Sequence, residues 1–385
     1  MDYDVIVIGA RVAGSVLATL LGQRGHRVLL LERARFPSDT LSTHFFRAPA
    51  FQTFERVGVF EDVQRTAPAL VSSFNDVDGH VFSEPVEGLN GFNCYLCVRR
   101  ITLDAILAQH VRHQPTVELR EGAQMDKLIW EAGRVVGARW REGRCDFEAN
   151  ARVVVGADGF YSRVAKQVNP AVERSEPVRR AMYYIYYQGL EHQPGPAAEF
   201  HFRGNHLVYV FPTDGELTLV AASVPIAEFD RFRRDPEGQL TAELEILPTL
   251  APRLRRAERV GPVKGAGNIP GYMRVPYGPG WALAGDAEQV LDPWSGQGID
   301  QASTHAVMLA DALHAWLSGQ ISWEQALDQY PLSRNAFSLE TYQRTCTLAR
   351  DLRPMTRAAL QRRGLSGIRP TSSPRQPAIQ AEGLM

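Results

Sequence analysis

The first thirty-two residues constrain this chain more than any other stretch. Residues 4–8, Asp-Val-Ile-Val-Ile, are a continuous apolar run of the kind that fills a buried parallel strand. From Val12 to Arg24 apolar residues recur at helical spacing, and Gly25 ends the pattern. His26 to Glu32 (HRVLLLE) reads as a second buried strand. Strand, helix and strand in so short a length make a β-α-β unit, which belongs in a parallel sheet. Between strand and helix stands Gly9-Ala10-Arg11-Val12-Ala13-Gly14. Gly9 permits the tight turn, and Gly14 permits close packing of helix on strand. The helix start at Val12 and Ala13 then offers free N–H groups and a positive dipole end to a pyrophosphate. Glu32 ends the second strand, where a carboxylate accepts ribose hydroxyls, and Arg33 follows it. Arg11 replaces the usual middle glycine. Its Cβ crowds a pyrophosphate unless the turn is wider or the guanidinium itself reaches a phosphate.

Two later segments complete the pattern. Val155-Gly156-Ala157-Asp158-Gly159 follows the buried run RVVV and precedes a helical stretch. A strand ending in Asp-Gly is a common turn and says little alone. The segment WALAGDAEQVLDPWSGQGIDQA, residues 281–302, says more. A buried strand delivers Gly285-Asp286 to its end. Pro293, Gly296 and Gly298 shape a loop that enters a helix near Gln297, with Ile299 in its first turn. The N–H groups of Gly296, Gln297 and Gly298 are expected to face whatever lies in front of that helix.

The remainder reads more coarsely. Phe36 to Phe60 is a polar turn followed by a helical pattern, residues 70–95 are strands and loops, and Ile101 to His113 is an amphipathic helix. Val117 to Val155 reads as an antiparallel meander. Residues 181–224 hold four aromatic-rich strand segments: MYYIYYQGL, AEFHFRG, HLVYVFP and ELTLVAASV. Residues 226–256 read as helical, as do Gln297 to Leu317 and Trp323 to Gln361. At 385 residues the chain is too long for one simple core. Net charge is −1, which gives no electrostatic case for nucleic acid. No apolar run approaches the roughly 20 residues of a membrane span, and the N-terminus carries no secretory pattern, so a cytoplasmic protein is expected. Cys94 and Cys97 have redox-motif spacing, but buried free thiols are the expected state, with no metal site.

Taken together, the three motifs resemble the FAD-dependent family of para-hydroxybenzoate hydroxylase, with the related flavin-dependent halogenases and geranylgeranyl reductases. The resemblance spans about residues 3 to 330. It implies an α/β fold: a glutathione-reductase-like Rossmann domain for FAD, an inserted, mainly antiparallel substrate sheet, and C-terminal helices. The expected divisions are 1–75, 96–175 and 265–330 for FAD, 76–95 and 176–264 for substrate, 331–363 for C-terminal helices and 364–385 for a flexible tail. It also implies that Gly9 through Gly14 and Glu32 meet the ADP part of FAD. Asp158 lies near the flavin and the nicotinamide path, and Gly285-Asp286 meets the ribityl chain. The loop through Ile299 faces the flavin. In Arg100-Ile101-Thr102-Leu103-Asp104 the arginine meets FAD.

The expected chemistry is monooxygenation, hydroxylation or epoxidation of a small aromatic or polyketide-like substrate of secondary metabolism, through a flavin C4a-hydroperoxide. Molecular oxygen is the co-substrate, and NADPH, NADH or a flavin reductase supplies electrons. Such chemistry needs a dry pocket. Tyr184, Tyr186, His201, Tyr209, Phe211 and Trp294 are the candidate walls. His44, in the loop THFFRAP, is a candidate proton donor or substrate anchor, with Pro293 beside it in the catalytic set. Arg47 is expected to bind FAD or a substrate anion. The alternative is a reductase of carbon–carbon double bonds, since Asp-Pro-x-x-Gly-x-Gly-Ile is similar to that branch. Halogenation is disfavoured: there is no Trp-x-Trp-x-Ile-Pro motif, and no lysine precedes Lys127.

Overall fold

A computed structural model describes residues 2–193 and 195–365. The expected tail, 364–385, lies outside the described residues from 366 onward. The N-terminal strand Tyr3–Ile8 sits mid-sheet, between Val28–Glu32 and the far half of the long strand Cys145–Gly156, parallel to both. Trp281–Leu283 adds to Cys145–Gly156, again in parallel. Val5, Ile6 and Val7 and all of Val28–Leu30 are fully buried, which is why these runs carry no polar alternation. Helix Val12–Gln23 covers one face of this sheet, and helix Gly298–Leu317 packs against it.

The meander expected from Val117 onward needs correction. Val117–Glu121 pairs in parallel with Val28–Glu32 and so belongs to the dinucleotide sheet. Only Ala123–Glu131, Arg134–Glu142 and the first half of Cys145–Gly156 form antiparallel hairpins. Alternating polarity cannot tell an edge strand of a parallel sheet from a hairpin strand when both leave one side in solvent.

The second sheet has seven strands in the order Glu258–Ala266, Arg180–Gln188, Leu217–Pro225, His206–Pro212, Ala197–Arg203, Ser72–Val77, His80–Pro85. All neighbours are antiparallel except Ala197–Arg203 with Ser72–Val77. In sequence its strands run from Ser72 to Ala266, a few residues beyond the expected divisions at 76 and 264. One face carries Tyr183, Ile185, Val208, Val210 and Val220 against the helices of residues 229–254. The other carries Met182, Tyr184, Tyr209, Phe211 and Leu219 toward the dinucleotide-binding part. The expected helix Trp323 to Gln361 is two, Trp323–Arg350 and Arg353–Arg362. Asp351 is extended, and Pro354 opens the second helix, where its missing N–H costs nothing.

Candidate active site

At the first motif the backbone packs with no room for side chains. Gly9 has φ +99°, and a Cβ there lies 2.4 Å from the carbonyl oxygen of Ala157. A Cβ on Gly14 lies 1.7 Å from the carbonyl oxygen of Gly9. The first two motifs therefore meet at van der Waals contact. Glu32 accepts hydrogen bonds from the N–H groups of Ala10 (2.8 Å) and Ala34 (2.9 Å). It thus tightens the glycine turn, and a carboxylate's remaining lone pairs stay available for sugar hydroxyls. Arg33 is exposed, while Val12 and Ala13 are buried.

Arg11 has partners within the protein. Its guanidinium pairs with Asp104 and donates to the Ser38 carbonyl (3.2 Å) and the Asp39 carbonyl (3.2 Å), so it anchors that loop. Asp104 is fully buried and also accepts from Arg100 (Nε to Oδ1, 3.0 Å). Two guanidinium groups share one carboxylate, which leaves net positive charge beside the glycine turn, as an anionic pyrophosphate requires. Arg99 points elsewhere, to Asp214 on the second sheet's hairpin (2.8 Å). Asp158, expected near the flavin, caps a helix in this structure. Its carboxylate accepts from the Ser162 hydroxyl (2.5 Å) and the Arg163 N–H (2.6 Å) at the start of helix Arg163–Val168.

The third motif is held just as tightly. Gly285 has φ +62°, and a Cβ there lies 2.9 Å from the Ala13 Cβ, so this turn rests on the first motif's helix. Asp286 is exposed between buried Gly285 and Ala287. The residue is open to solvent at this turn, yet neighbouring protein atoms crowd its carboxyl group. That desolvation raises its pKa, and the charge of Arg100 opposes the rise. Asp292 caps the short turn Pro293–Ser295 by accepting from the Trp294 N–H (3.1 Å). The N–H of Gly296 closes that turn on the Pro293 carbonyl (3.1 Å), so the cleft-facing donors are those of Gln297 and Gly298. A Cβ on Gly298 meets nothing within 4 Å, so the 20-residue helix starts onto open space. Ile299 is buried beneath it. Asp300 accepts from the N–H (2.9 Å) and Nε (3.0 Å) of Arg47 and so ties the THFFRAP loop to the helix start.

These features fit FAD from both ends. The glycine turns admit no Cβ, Glu32 and Asp286 offer carboxylates where ribose and ribityl hydroxyls come, and two arginines flank the pyrophosphate position.

A cavity of about 100 Å³ adjoins the turn Pro293–Gly296. Phe45, Tyr95, Phe200, Tyr209, Phe211 and Trp294 wall it, and Thr43, Arg47, Ser295 and Gly296 complete it. Tyr209 and Phe211 are thus where they were expected, as is Trp294, whose carbonyl accepts from the Tyr209 hydroxyl. Tyr184 and Tyr186 share the same sheet face without lining this cavity. His201 must be corrected. It lies on the opposite face, fully buried, against Glu199 (3.1 Å), which is itself paired with Arg253. Phe200, one residue earlier, takes the wall position instead, because alternate strand residues face opposite ways. Phe45, Tyr95 and Thr43 were missed. Their signal, aromatic residues on both sides of a two-stranded pairing of Phe45–Phe46 with Leu96–Cys97, needs the pairing to be known. A larger groove of about 820 Å³, lined by Arg65, Gln188, His192 and Thr213 among others, includes none of the expected residues.

His44 is fully buried with φ +60°. Its Nδ1 accepts from the Arg100 N–H (3.2 Å), so the proton sits on Nε2, which donates to the Tyr186 hydroxyl (2.6 Å). Burial, with the Arg100 charge beside it, pushes its pKa down to about 3. A neutral imidazole so held is no imidazolium donor at neutral pH. Pro293 opens the turn Pro293–Ser295 and stands outside the cavity wall.

Residues 2–224 match the family described as FAD binding domain. The chain belongs to that family. This FAD-binding protein is an FAD-dependent oxidoreductase, and its relatives span several reactions. It is 23% identical to the 1H-pyrrole-2-carbonyl-[peptidyl-carrier protein] brominase of Pseudoalteromonas luteoviolacea, over 86% of this chain and 81% of that one. It is 28% identical to digeranylgeranylglycerophospholipid reductase 1 of Methanopyrus kandleri, over 78% of each. It is 27% identical to kynurenine 3-monooxygenase of Salinispora arenicola, over 81% and 72%. In fold it is similar to the myxobacterial chondrochloren halogenase, with TM-score 0.82 and 22% identity over 95% of this chain and 91% of that one. It is also similar to Pseudomonas aeruginosa PqsL in complex with 2-aminobenzoylacetate, with TM-score 0.72 and 21% identity over 92% and 98%. No helix among the described residues is long and apolar enough to cross a membrane.

Proposed function

We propose that this FAD-dependent enzyme is a monooxygenase that inserts one oxygen atom into a small aromatic substrate. The observation that carries the reading is the cavity of about 100 Å³ walled by six aromatic side chains and sharing Ser295 and Gly296 with the flavin-facing turn. At about 100 Å³ the space is below the roughly 150 Å³ of an apolar cavity that holds benzene, so with modest side-chain adjustment it admits at most one flat ring and not an isoprenoid chain. The larger groove touches no residue of that turn, so the smaller cavity is the better substrate site. Bound FAD, once reduced, supplies oxygen activation. The protein's part is placement. The N–H groups of Gln297 and Gly298 favour negative charge at the flavin's edge, and the rings of Phe45, Phe200 and Phe211 exclude water. Arg47, held through its Nε by Asp300, lines the cavity and supplies a cation for an anionic substrate group.

Electrons come from NADPH, NADH or a flavin reductase. The test is to reduce the FAD-loaded enzyme anaerobically, add phenols, anilines or pyrroles, and admit oxygen. A product heavier by one oxygen supports the reading. Saturated product formed without oxygen makes it a reductase, and product formed only with bromide or chloride makes it a halogenase. Bleaching of the flavin by NADPH or NADH alone removes the need for a partner reductase.

A further inference from the structure

The short turn Gly285–Ala287 carries Asp286, and Glu288 follows it. Every carbonyl from Gly285 to Glu288 is taken. That of Gly285 accepts from the Glu288 N–H (2.9 Å), and that of Asp286 from the Tyr272 hydroxyl (2.6 Å). The Ala287 carbonyl accepts from the Arg274 guanidinium (2.6 Å), and the Glu288 carbonyl from the Arg274 N–H (3.1 Å). Tyr272 and Arg274 belong to the strand Gly271–Arg274, which pairs with Gln289–Val290 just beyond the turn. The Asp286 carboxylate is left over: it accepts no hydrogen bond from any of the described residues.

The Glu288 side chain ties this turn to the C-terminal helix Trp323–Arg350. It is fully buried, and its carboxylate accepts from the Arg334 guanidinium (2.8 Å) and the Tyr330 hydroxyl (2.5 Å). Arg334 is fully buried as well. Its Nη1 donates both to Glu288 and to the Arg274 carbonyl (2.9 Å), and its Nη2 donates to Glu173 of the strand Val172–Glu176 (2.6 Å). One guanidinium thus joins the residue that follows the Asp286 turn to two strands. Docking the helix does not require this. Ala326 and Leu327 of the same helix already sit in the main apolar core. A buried ion pair is often no more stabilising than apolar residues of the same volume. What it adds is a single geometry, because a planar fork meets a carboxylate and a carbonyl in one arrangement only.

We propose that Arg334 is a positioning residue for the flavin half of FAD: through Glu288 and the Arg274 carbonyl it sets the turn on which Asp286 meets the ribityl chain. The proposal rests on the reading that Asp286 meets that chain, and it is independent of the reaction the flavin performs. Loss of Arg334 therefore falls on the ribityl end. The ADP end has its own supports, since Glu32 takes its hydrogen bonds from Ala10 and Ala34.

The experiment titrates FAD, followed by flavin absorbance, and ADP, followed by calorimetry, into FAD-free protein. The forms are wild type, Asp286→Ala, Arg334→Gln, Tyr330→Phe and the double variant Asp286→Ala/Arg334→Gln, with thermal unfolding of each alongside. Arg334→Gln should weaken FAD by at least about tenfold and leave ADP within about twofold, the scale of one lost charged hydrogen bond. Because Arg334 acts through Asp286, the double variant should bind FAD within about twofold of Asp286→Ala alone. Tyr330→Phe keeps the ion pair and drops one bond on Glu288, so it should weaken FAD by about threefold and leave ADP unchanged. A merely structural Arg334 lowers the two affinities together or lowers neither, and either result in Arg334→Gln overturns the proposal. Additive losses in the double variant overturn it too. If Arg334→Gln does not fold, Tyr330→Phe decides: wild-type FAD affinity, or equal loss of FAD and ADP, overturns it. Asp286→Ala with wild-type FAD affinity removes the ribityl contact and the proposal with it. A weakened Asp286→Ala beside an Arg334→Gln that binds FAD as wild type does removes the proposal alone.

Discussion

The Nε2 atom of His44 lies 2.6 Å from the hydroxyl of Tyr186, while its Nδ1 faces the backbone N–H of Arg100. Both ring nitrogens are therefore spent on the protein, and the ring is neutral down to about pH 3. The residue joins the FAD-side helix start at Arg100 to the second sheet. Its expected role is registration of the two. His44→Asn should leave the shape of the pH–rate profile between pH 5.5 and 8 unchanged and lower stability by about 1–3 kcal/mol, the usual cost of unpaired buried polar groups. Loss of an inflection near pH 6.5 in the variant would restore an acid–base role to His44.

His305 makes a second, sharper prediction about acid. It is fully buried, neither ring nitrogen has a hydrogen-bond partner among the described residues, and burial, with the Arg334 charge, lowers its pKa to about 3. The unfolded chain binds protons at both His44 and His305 below about pH 6.5, while the folded chain does not. Stability from these two groups is therefore present above pH 6.5 and lost as pH falls toward 3. The slope is about 1.4 kcal/mol per pH unit for each, so about 4 kcal/mol is gone by pH 5. His305→Leu removes one of the two terms and no hydrogen bond. Urea midpoints between pH 7.5 and 5 should show the acid dependence of stability reduced by about 1.4 kcal/mol per pH unit below pH 6.5; an unaltered dependence sinks the account. His206 works the other way. Its two nitrogens sit 2.8 Å from Glu243 and Glu228, which raise its pKa, so its contribution is full below pH 6.5 and lost as pH rises through the raised value.

Gly14 is the most demanding position of the first motif, because its missing Cβ would lie inside the van der Waals radius of the Gly9 carbonyl oxygen. Relief requires helix Val12–Gln23 to move off the sheet, which widens the turn over which the pyrophosphate sits. Gly14→Ala should weaken FAD by at least about a hundredfold and cost about 1–3 kcal/mol in the FAD-free protein, as overpacking does. Retention of wild-type FAD affinity, measured by flavin fluorescence, counts against this motif as the ADP site.

How much of this was legible in the sequence follows from the range of each interaction. The first motif is built from neighbours along the chain, so Gly9, Gly14 and Glu32 could be placed from spacing alone, and the turn at Pro293–Gly298 likewise. The ionic frame could not. Arg11 meets Asp104 across 93 positions and Arg47 meets Asp300 across 253, so which arginine each acid takes is decided by the fold and not by spacing. The sheet shows the same limit on a finer scale. Its strands were legible as aromatic runs, but the face each residue takes is fixed by pairing, as with Phe200 opposite Tyr209. A choice between Phe200 and His201 for the cavity wall has no answer inside the strand itself.

Substrate fit is where the proposed chemistry is most exposed to test. Phe200 is only partly buried and forms one wall of the cavity, with Phe45, Tyr209 and Phe211 as ring neighbours at 5.5–6.4 Å. A bulkier indole there can grow only into the cavity, since the other neighbours are already in contact. Phe200→Trp should therefore keep FAD affinity within about threefold, because no motif residue is touched, while ring-sized ligands lose at least about tenfold in affinity, the scale of one displaced ring contact. Tyr209→Phe separates fit from framework. It leaves the cavity's volume nearly as it was but strips the Trp294 carbonyl of its hydroxyl donor, so the cost of about 1–2 kcal/mol should appear in stability and in FAD affinity more than in ligand size preference. Titrations of both variants with phenol, aniline and a naphthol resolve the two effects. If Phe200→Trp binds phenol as wild type does, the substrate occupies another space, and the groove beside Thr213 becomes the site to probe.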